Sequence, residues 1–164
     1  MSDAILLASD VSFNYEAPKN ARPILQNVSI SIEPGSIVAI VGESGSGKST
    51  LAKLLCGMLT PTSGQVLYRG APLQSPAEAG LHLLSQEPFS TFNPYHDVRR
   101  ILSEPLHAQA KLPASIDQLT SLLRQALDEV GLDRVALDAS PRSLSGGQLQ
   151  RLALARILLL KPKL

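Results

Sequence analysis

Cysteine is almost missing from this chain. The single Cys56 excludes an internal disulfide and any multi-cysteine metal site, and it suits a reducing compartment. A lone thiol of this kind is expected to be a small core residue. Charge of one sign is missing too. With 15 basic and 14 acidic side chains and a net charge of +1, no global field draws in nucleic acid or an anionic membrane surface, so any anion binding must be local. Long hydrophobic runs are also absent. The longest, IVAIV at 37–41 and LALARILLL at 152–160, fall well short of the roughly 20 residues that span a bilayer. The start carries Asp3 and Asp10, no basic leader region and only a short apolar run. The expectation is therefore a protein without a secretory leader that stays inside the cell. No internal repeat or low-complexity tract stands out, and 164 residues suffice for one domain with a sizeable core.

Apolar runs bounded by turn residues predict strands at AILLASDVSFNY (4–15), ILQNVSISI (24–32), SIVAIVG (36–42), GQVLYRG (64–70) and LHLLSQ (81–86), so most strands fall in the first half. The third of these is apolar on both faces, as a doubly covered central strand is. It runs directly into a glycine-rich loop and the expected helix KSTLAKLLCGML (48–59). After Gln86 the pattern becomes helical. DVRRILSEPLHAQ (97–109) and SIDQLTSLLRQALDEVGL (115–132) read as amphipathic helices, the second with Ile116, Leu119, Leu122, Leu123, Ala126, Leu127 and Val130 on one face and Gly131 as its stop. Between strands and helices lies SQEPFSTFNPY (85–95), an irregular connection with Pro88 and Pro94. The expected division is 1–86, 87–143 and 144–164.

The glycine loop is GESGSGKST at 42–50. Gly42, Gly47, Lys48 and Ser49 occupy every fixed position of G-x-x-x-x-G-K-[ST], for which chance in a chain of this length is roughly half a per cent. Glycines at this spacing let successive N–H groups turn inward around phosphate oxygens at the positive end of the following helix. Lys48 is expected to reach the terminal phosphates as a point charge, and Ser49 to give its hydroxyl to Mg²⁺. Glu43, Ser44, Gly45, Ser46 and Thr50 complete the loop. The plain alternative is an ordinary glycine turn. Tyr15, at the end of the first strand, has a ring face that suits a purine, although a strand-surface tyrosine needs no ligand.

LSGGQLQR at 144–151 opens the apolar-periodic stretch QLQRLALARILLL and is a second helix N-terminus with exposed donors. Ser145 on its own suits a helix cap. The five residues Leu144, Ser145, Gly146, Gly147 and Gln148, however, match the LSGGQ signature, and here the chain resembles the ATP-binding cassette (ABC) ATPases over essentially its whole length. The resemblance implies an α/β fold: a P-loop NTPase core of ABC type with an antiparallel β part and a helical subdomain. It implies ATP and Mg²⁺ as ligands, Tyr15 against adenine, and Gln86 as the γ-phosphate and metal sensor. It further implies that Ser145, Gly146, Gly147 and Gln148 contact nucleotide held by a second ABC ATPase subunit in a head-to-tail homodimer or heterodimer. The two loops then serve two different ATP molecules.

The run from Gln86 through Asn93-Pro94 to a V-x-x-I-L-x-E-P helix, together with LSGGQLQR, is similar to the peptide and nickel importer subgroup. There the irregular segment receives transmembrane permease subunits, which implies Phe89, Phe92 and Tyr95 as apolar contacts and a peripheral place on the cytoplasmic face of the inner membrane. Burial of these aromatics between subdomains is the alternative. The short link from LYRG to LHLLSQ departs from the resemblance, with fewer charged residues than the family usually carries there.

In the family, the proline-lysine region that ends this sequence leads into an apolar strand with an aspartate and a glutamate, and then to a switch histidine. None of these lies in residues 1–164, and His82, His96 and His107 all precede the signature. The expectation is an incomplete sheet, and for the chain alone at most weak nucleotide binding without substantial hydrolysis. Two further readings belong beside the importer ATPase. One is a catalytically inactive module that binds nucleotide or a partner; the other is a soluble ABC ATPase acting on nucleic acid or ribosomes, disfavoured because no coiled-coil insertion or second cassette appears. No nickel-type ligand cluster occurs in the sequence, so the solute is expected to be recognised by other subunits.

Overall fold

The computed structural model describes residues 4–15, 23–73, 80–87 and 92–164. They fall into two compact units, Met1–Leu83 and Leu84–Leu164. The division lies slightly before the expected one at Gln86, and residues 144–164 fold with 84–143 rather than apart from them.

The first unit carries an antiparallel sheet in the order β2-β1-β3-β4. Its strands are β1 (Leu6–Phe13), β2 (Leu25–Ile32), β3 (Ser63–Tyr68) and the short β4 (Ala71–Pro72). In β1 the buried positions change phase: Leu6 and Ala8 point into the core, then Val11 and Phe13. Strict alternation would turn the last two outward. One extra residue corrects this, because Asp10 takes φ 49° and the pairing register shifts on both sides of it, which is a β-bulge. The backbone groups freed there are met by side chains: Ser29 Oγ accepts from Asp10 N at 2.9 Å and Ser12 Oγ accepts from Asn27 N at 3.0 Å.

Helix α1 (Lys48–Leu55) presents Leu51, Leu54 and Leu55 to a core shared with Leu6, Ala8, Val11, Phe13, Leu25, Val66 and Leu81. It stops earlier than its apolar pattern suggests. Gly57 adopts φ 69°, its N–H donates to Leu54 O, and Met58 N donates to Lys53 O, closing a Schellman turn that only a left-handed residue permits. Cys56 is half-buried next to this turn, and burial pushes its thiol pKa up, which favours the protonated thiol.

Two expected strands are not strands. Residues 36–42 and 81–86 belong to no ladder, and Ile37 and Val41 are 99% and 90% exposed. Their composition is right for buried strands. A strand exists only where a neighbour takes up its N–H and C=O groups, and no described residue supplies one on that side. The sheet is therefore incomplete in the way the resemblance implied.

The second unit is helical, with α2 (Val98–Ala108), α3 (Ile116–Glu129), a 3-10 turn at Pro141–Ser143 and α4 (Gly146–Leu158). Its core gathers Val98, Ile101, Leu102 and Leu106 of α2, Leu123, Ala126 and Leu127 of α3, and Leu149, Leu152 and Ala155 of α4. The side chains of Asp97 and Ser115 cap α2 and α3. Gly131 ends α3 as expected: φ is 66°, its N–H bonds to Asp128 O, and Leu132 N bonds to Leu127 O. Ile116 departs from expectation, being 78% exposed, because it opens the first turn beyond the reach of the core.

Candidate functional site

At 42–50 the chain leaves the unpaired apolar segment and turns tightly into α1. Gly45 and Gly47 both lie in the left-handed region, at φ 81° and 92°. At Gly47 there is no room for a side chain, since a Cβ would stand 2.8 Å from Leu25 Cδ2 and 3.2 Å from Ile24 O. Gly47 is also the N-cap, and no side chain caps the helix. Leu51 N reaches Gly47 O at 2.8 Å, which leaves the N–H groups of Lys48, Ser49 and Thr50 without intrahelical acceptors. These three donors sit at the positive end of the α1 dipole and suit an anion.

Lys48 Nζ folds back over the loop and donates to Gly42 O at 2.9 Å and Glu43 O at 2.6 Å. The ammonium is thus held over the loop backbone, on carbonyls of exposed residues that water could satisfy in its place. Ser49 is exposed in the first turn of α1. Thr50 is not open in the same way: it is buried, and its Oγ1 lies 3.4 Å from Tyr15 Oη. Tyr15 packs edge-on against Phe13, with ring centroids 5.0 Å apart, and stays 54% exposed. The fold therefore brings Tyr15, far from the loop in sequence, to the first turn of α1 with its ring half-exposed.

The second loop also opens a helix, α4, but this helix carries a side-chain cap. Ser145 Oγ accepts from Gln148 N at 3.3 Å, and Gln148 Oε1 accepts from Ser145 N at 2.8 Å, a reciprocal capping box. The plain cap reading of Ser145 thus describes its bonding, and the Gln148 carboxamide is committed to the same cap. Leu149 N donates to Ser145 O, so the donors left over are the N–H groups of Gly146 and Gly147, both on exposed residues. Ser145→Ala is expected to cost the helical unit about 1 kcal/mol, to be measured by urea unfolding; a change below about 0.3 kcal/mol would show that the cap is dispensable.

Gln86 is exposed and lines a cavity of about 340 Å³ with Leu84, Ser85, Gln150, Arg151 and Leu154, one turn along α4 from the signature glycines. Of the three aromatics expected to meet a partner, Phe89 lies outside the described residues. Phe92 is buried in the helical core with the Arg156 guanidinium 5.9 Å from its ring centroid, whereas Tyr95 is 87% exposed beneath Arg142. Phe92 is thus buried inside the helical unit rather than between subdomains, and Tyr95 stays exposed. Glu104 ties this segment to α4, with one oxygen 3.1 Å from His96 Nδ1 and the other 3.1 Å from Arg156 Nη2. The histidine contact meets the distance of an ion pair but not the alignment of a hydrogen bond. Arg151 was not singled out from the sequence, although it stands four residues after Gly147 on the same helix face.

A glycine loop that leaves helix N–H groups open under a lysine defines a P-loop nucleotide-binding protein, and a second open helix end at LSGGQ narrows that class. The chain belongs to the ABC transporter family, whose model matches residues 25–164 and whose members bind ATP. It is 39% identical over 172 residues to the nickel import ATP-binding protein NikE of Shigella dysenteriae, covering 98% of this chain and 63% of that protein. It is 42% identical over 150 residues to NikE of Escherichia coli, covering 87% and 55%. It thus spans about three fifths of the length of these curated relatives. Among solved structures, CbiO1 of Clostridium perfringens, part of the ABC transporter complex CbiONQ, superposes with a TM-score of 0.78 at 25% identity over 98% of this chain and 63% of that one. A dimeric ATP-binding cassette in a post-hydrolysis state bound to ADP and Pi gives 0.83 at 25% identity, covering 96% and 70%. Among the described residues, no helix is long and apolar enough to cross a membrane.

Proposed function

We propose that this protein is the ATP-binding subunit of an ABC importer of the nickel or peptide type, peripheral at the cytoplasmic face of the inner membrane, in which ATP binding and hydrolysis drive solute uptake. The observation that carries the reading is the pair of open helix ends, at Gly47–Lys48 and at Ser145–Gly146, in one chain. A loop and a signature of this kind form complete sites when two cassettes pair head to tail, each P-loop facing the other's signature. Gly42, Glu43, Ser44, Gly45, Ser46, Gly47, Lys48, Ser49 and Thr50 cradle the phosphates, Tyr15 faces the adenine, and Gln86 senses the γ-phosphate. Ser145, Gly146, Gly147 and Gln148 approach the partner's nucleotide.

Magnesium fits the donors present. Mg²⁺ keeps several waters and is held by one or two protein oxygens plus substrate phosphates, and Ser49 offers an exposed hydroxyl where the phosphates lie. When bound, the ion supplies charge neutralisation of the phosphate chain; the chain's own contribution is to align that chain with backbone N–H groups and Lys48. The nickel reading is supported by the names of the relatives. The solute itself would contact membrane or binding subunits.

The reading is tested by reconstituting the complete subunit with its permease subunits in vesicles and following uptake of radiolabelled nickel and of peptides. ATP-dependent accumulation of one of them is the expected result. ATP turnover that responds to nucleic acid and never to a membrane partner would favour a soluble ABC ATPase instead.

A further inference from the structure

The end of α3 and the start of α4 meet at one side chain. Arg151 Nη1 donates to Gly131 O at 2.7 Å and more weakly to Val130 O at 3.4 Å, while Nε lies 3.4 Å from Gly147 O. Val130 and Gly131 are the residues by which α3 unwinds, and carbonyls at a helix C-terminus carry negative partial charge without an intrahelical donor. Gly147 belongs to the first turn of α4, inside the signature. One planar guanidinium therefore holds the backbone of two elements at a fixed angle, which a flexible ammonium with no preferred plane cannot reproduce. Gly131 is shaped to allow it: besides its φ of 66°, a Cβ there would stand 3.3 Å from Arg151 Nη1. Beneath this contact Val130, Leu132, Leu149 and Leu152 are buried together. Arg151 also borders the cavity lined by Gln86.

We infer that Arg151 is a positioning residue for the signature turn: by clamping Gly147 to the end of α3, it fixes the direction in which the free N–H groups of Gly146 and Gly147 point. The inference rests on the proposed contact of that turn with nucleotide on a partner cassette. Arg151 belongs to the unit that does not contain the P-loop.

The test compares Arg151→Met, Arg151→Lys and Gly131→Ala in the complete ATPase, measuring kcat and KM for ATP turnover and the affinity for a fluorescent ATP analogue. Arg151→Met is expected to lower kcat at least about tenfold while nucleotide affinity stays within about twofold, because orientation is lost and P-loop binding is not. Arg151→Lys should recover part of kcat by reaching Gly131 O alone. Gly131→Ala, which crowds the guanidinium without removing it, should show the same split, and it decides the matter if Arg151→Met lowers the melting temperature. Unchanged kcat, or affinity falling in parallel with kcat, overturns the inference. If the unsubstituted protein shows no turnover, the proposed function has failed and amide hydrogen exchange decides separately. Faster exchange confined to Gly146 and Gly147 in Arg151→Met upholds the clamp, and unchanged exchange refutes it.

Discussion

Lys48→Ala is expected to raise the Kd for ATP about a hundredfold, since two charge-assisted hydrogen bonds of roughly 1.5 kcal/mol each correspond to two decades. In the free protein the Lys48 ammonium spans Gly42 O and Glu43 O, both on exposed residues, so removing it leaves carbonyls that water satisfies. The fold should therefore not change. In the bound protein the same ammonium would lie against phosphate oxygens, in a loop whose other donors are neutral backbone amides, and no other described side chain in the loop carries positive charge. The measurement is titration of a fluorescent ATP analogue with the melting temperature followed in parallel. Lys48→Arg should fall between the two, because the guanidinium brings the charge but is too broad for a ring closed by Gly45 and Gly47. An unchanged Kd in Lys48→Ala would mean that the loop binds no polyphosphate, and the site assignment would have to be given up.

Gly64→Ala should be the most damaging single methyl in the strand-bearing unit. Gly64 faces the bulge in β1, and a Cβ there would stand 2.4 Å from both Ser9 O and Asp10 O. Ser9 pairs with Gln65 of β3, and Asp10 sits in the bulge between residues paired with β2, Ala8 with Ile30 and Val11 with Val28, so moving either carbonyl disturbs the ladder around it. Its φ of 78° adds a further cost, about 1–2 kcal/mol for an L-residue in the left-handed region. The expected loss exceeds about 3 kcal/mol, a large share of the 5–15 kcal/mol that stabilises a typical domain. Gly70→Ala separates the two causes. Gly70 has the same φ of 78° but nothing within 4 Å of its Cβ position, so its substitution should cost only the conformational part. Equal losses for the two variants in denaturant unfolding would show that the close approach to the bulge does not matter.

Much of the candidate site was legible in the sequence because it is local. A glycine loop, the lysine after it and a capped helix start depend on the φ and ψ of a few consecutive residues and on which amides the helix leaves unpaired, so residues 42–50 and 145–148 could be read where they stand. The same holds for the faces of α2 and α3 and for the stop at Gly131. Tyr15 was legible only as a tyrosine whose ring face suits a purine, with the resemblance added to that, and its position became physical once β1 and α1 shared a core and its hydroxyl came to Thr50.

The sequence by itself determined the family, the phosphate loop, the signature turn and the order of strands before helices, since each is written in spacing and residue type. Only the tertiary structure decided the rest. It placed Asp10 in a bulge that turns Val11 and Phe13 inward, because pairing with β2 and β3 on either side forces the shift. It divided Phe92 from Tyr95, put Arg151 on the carbonyls of Val130 and Gly131, and left 36–42 and 81–86 without a ladder. A strand, a cap contributed from another helix and a buried face all require a partner far along the chain, and no local pattern records whether that partner is there.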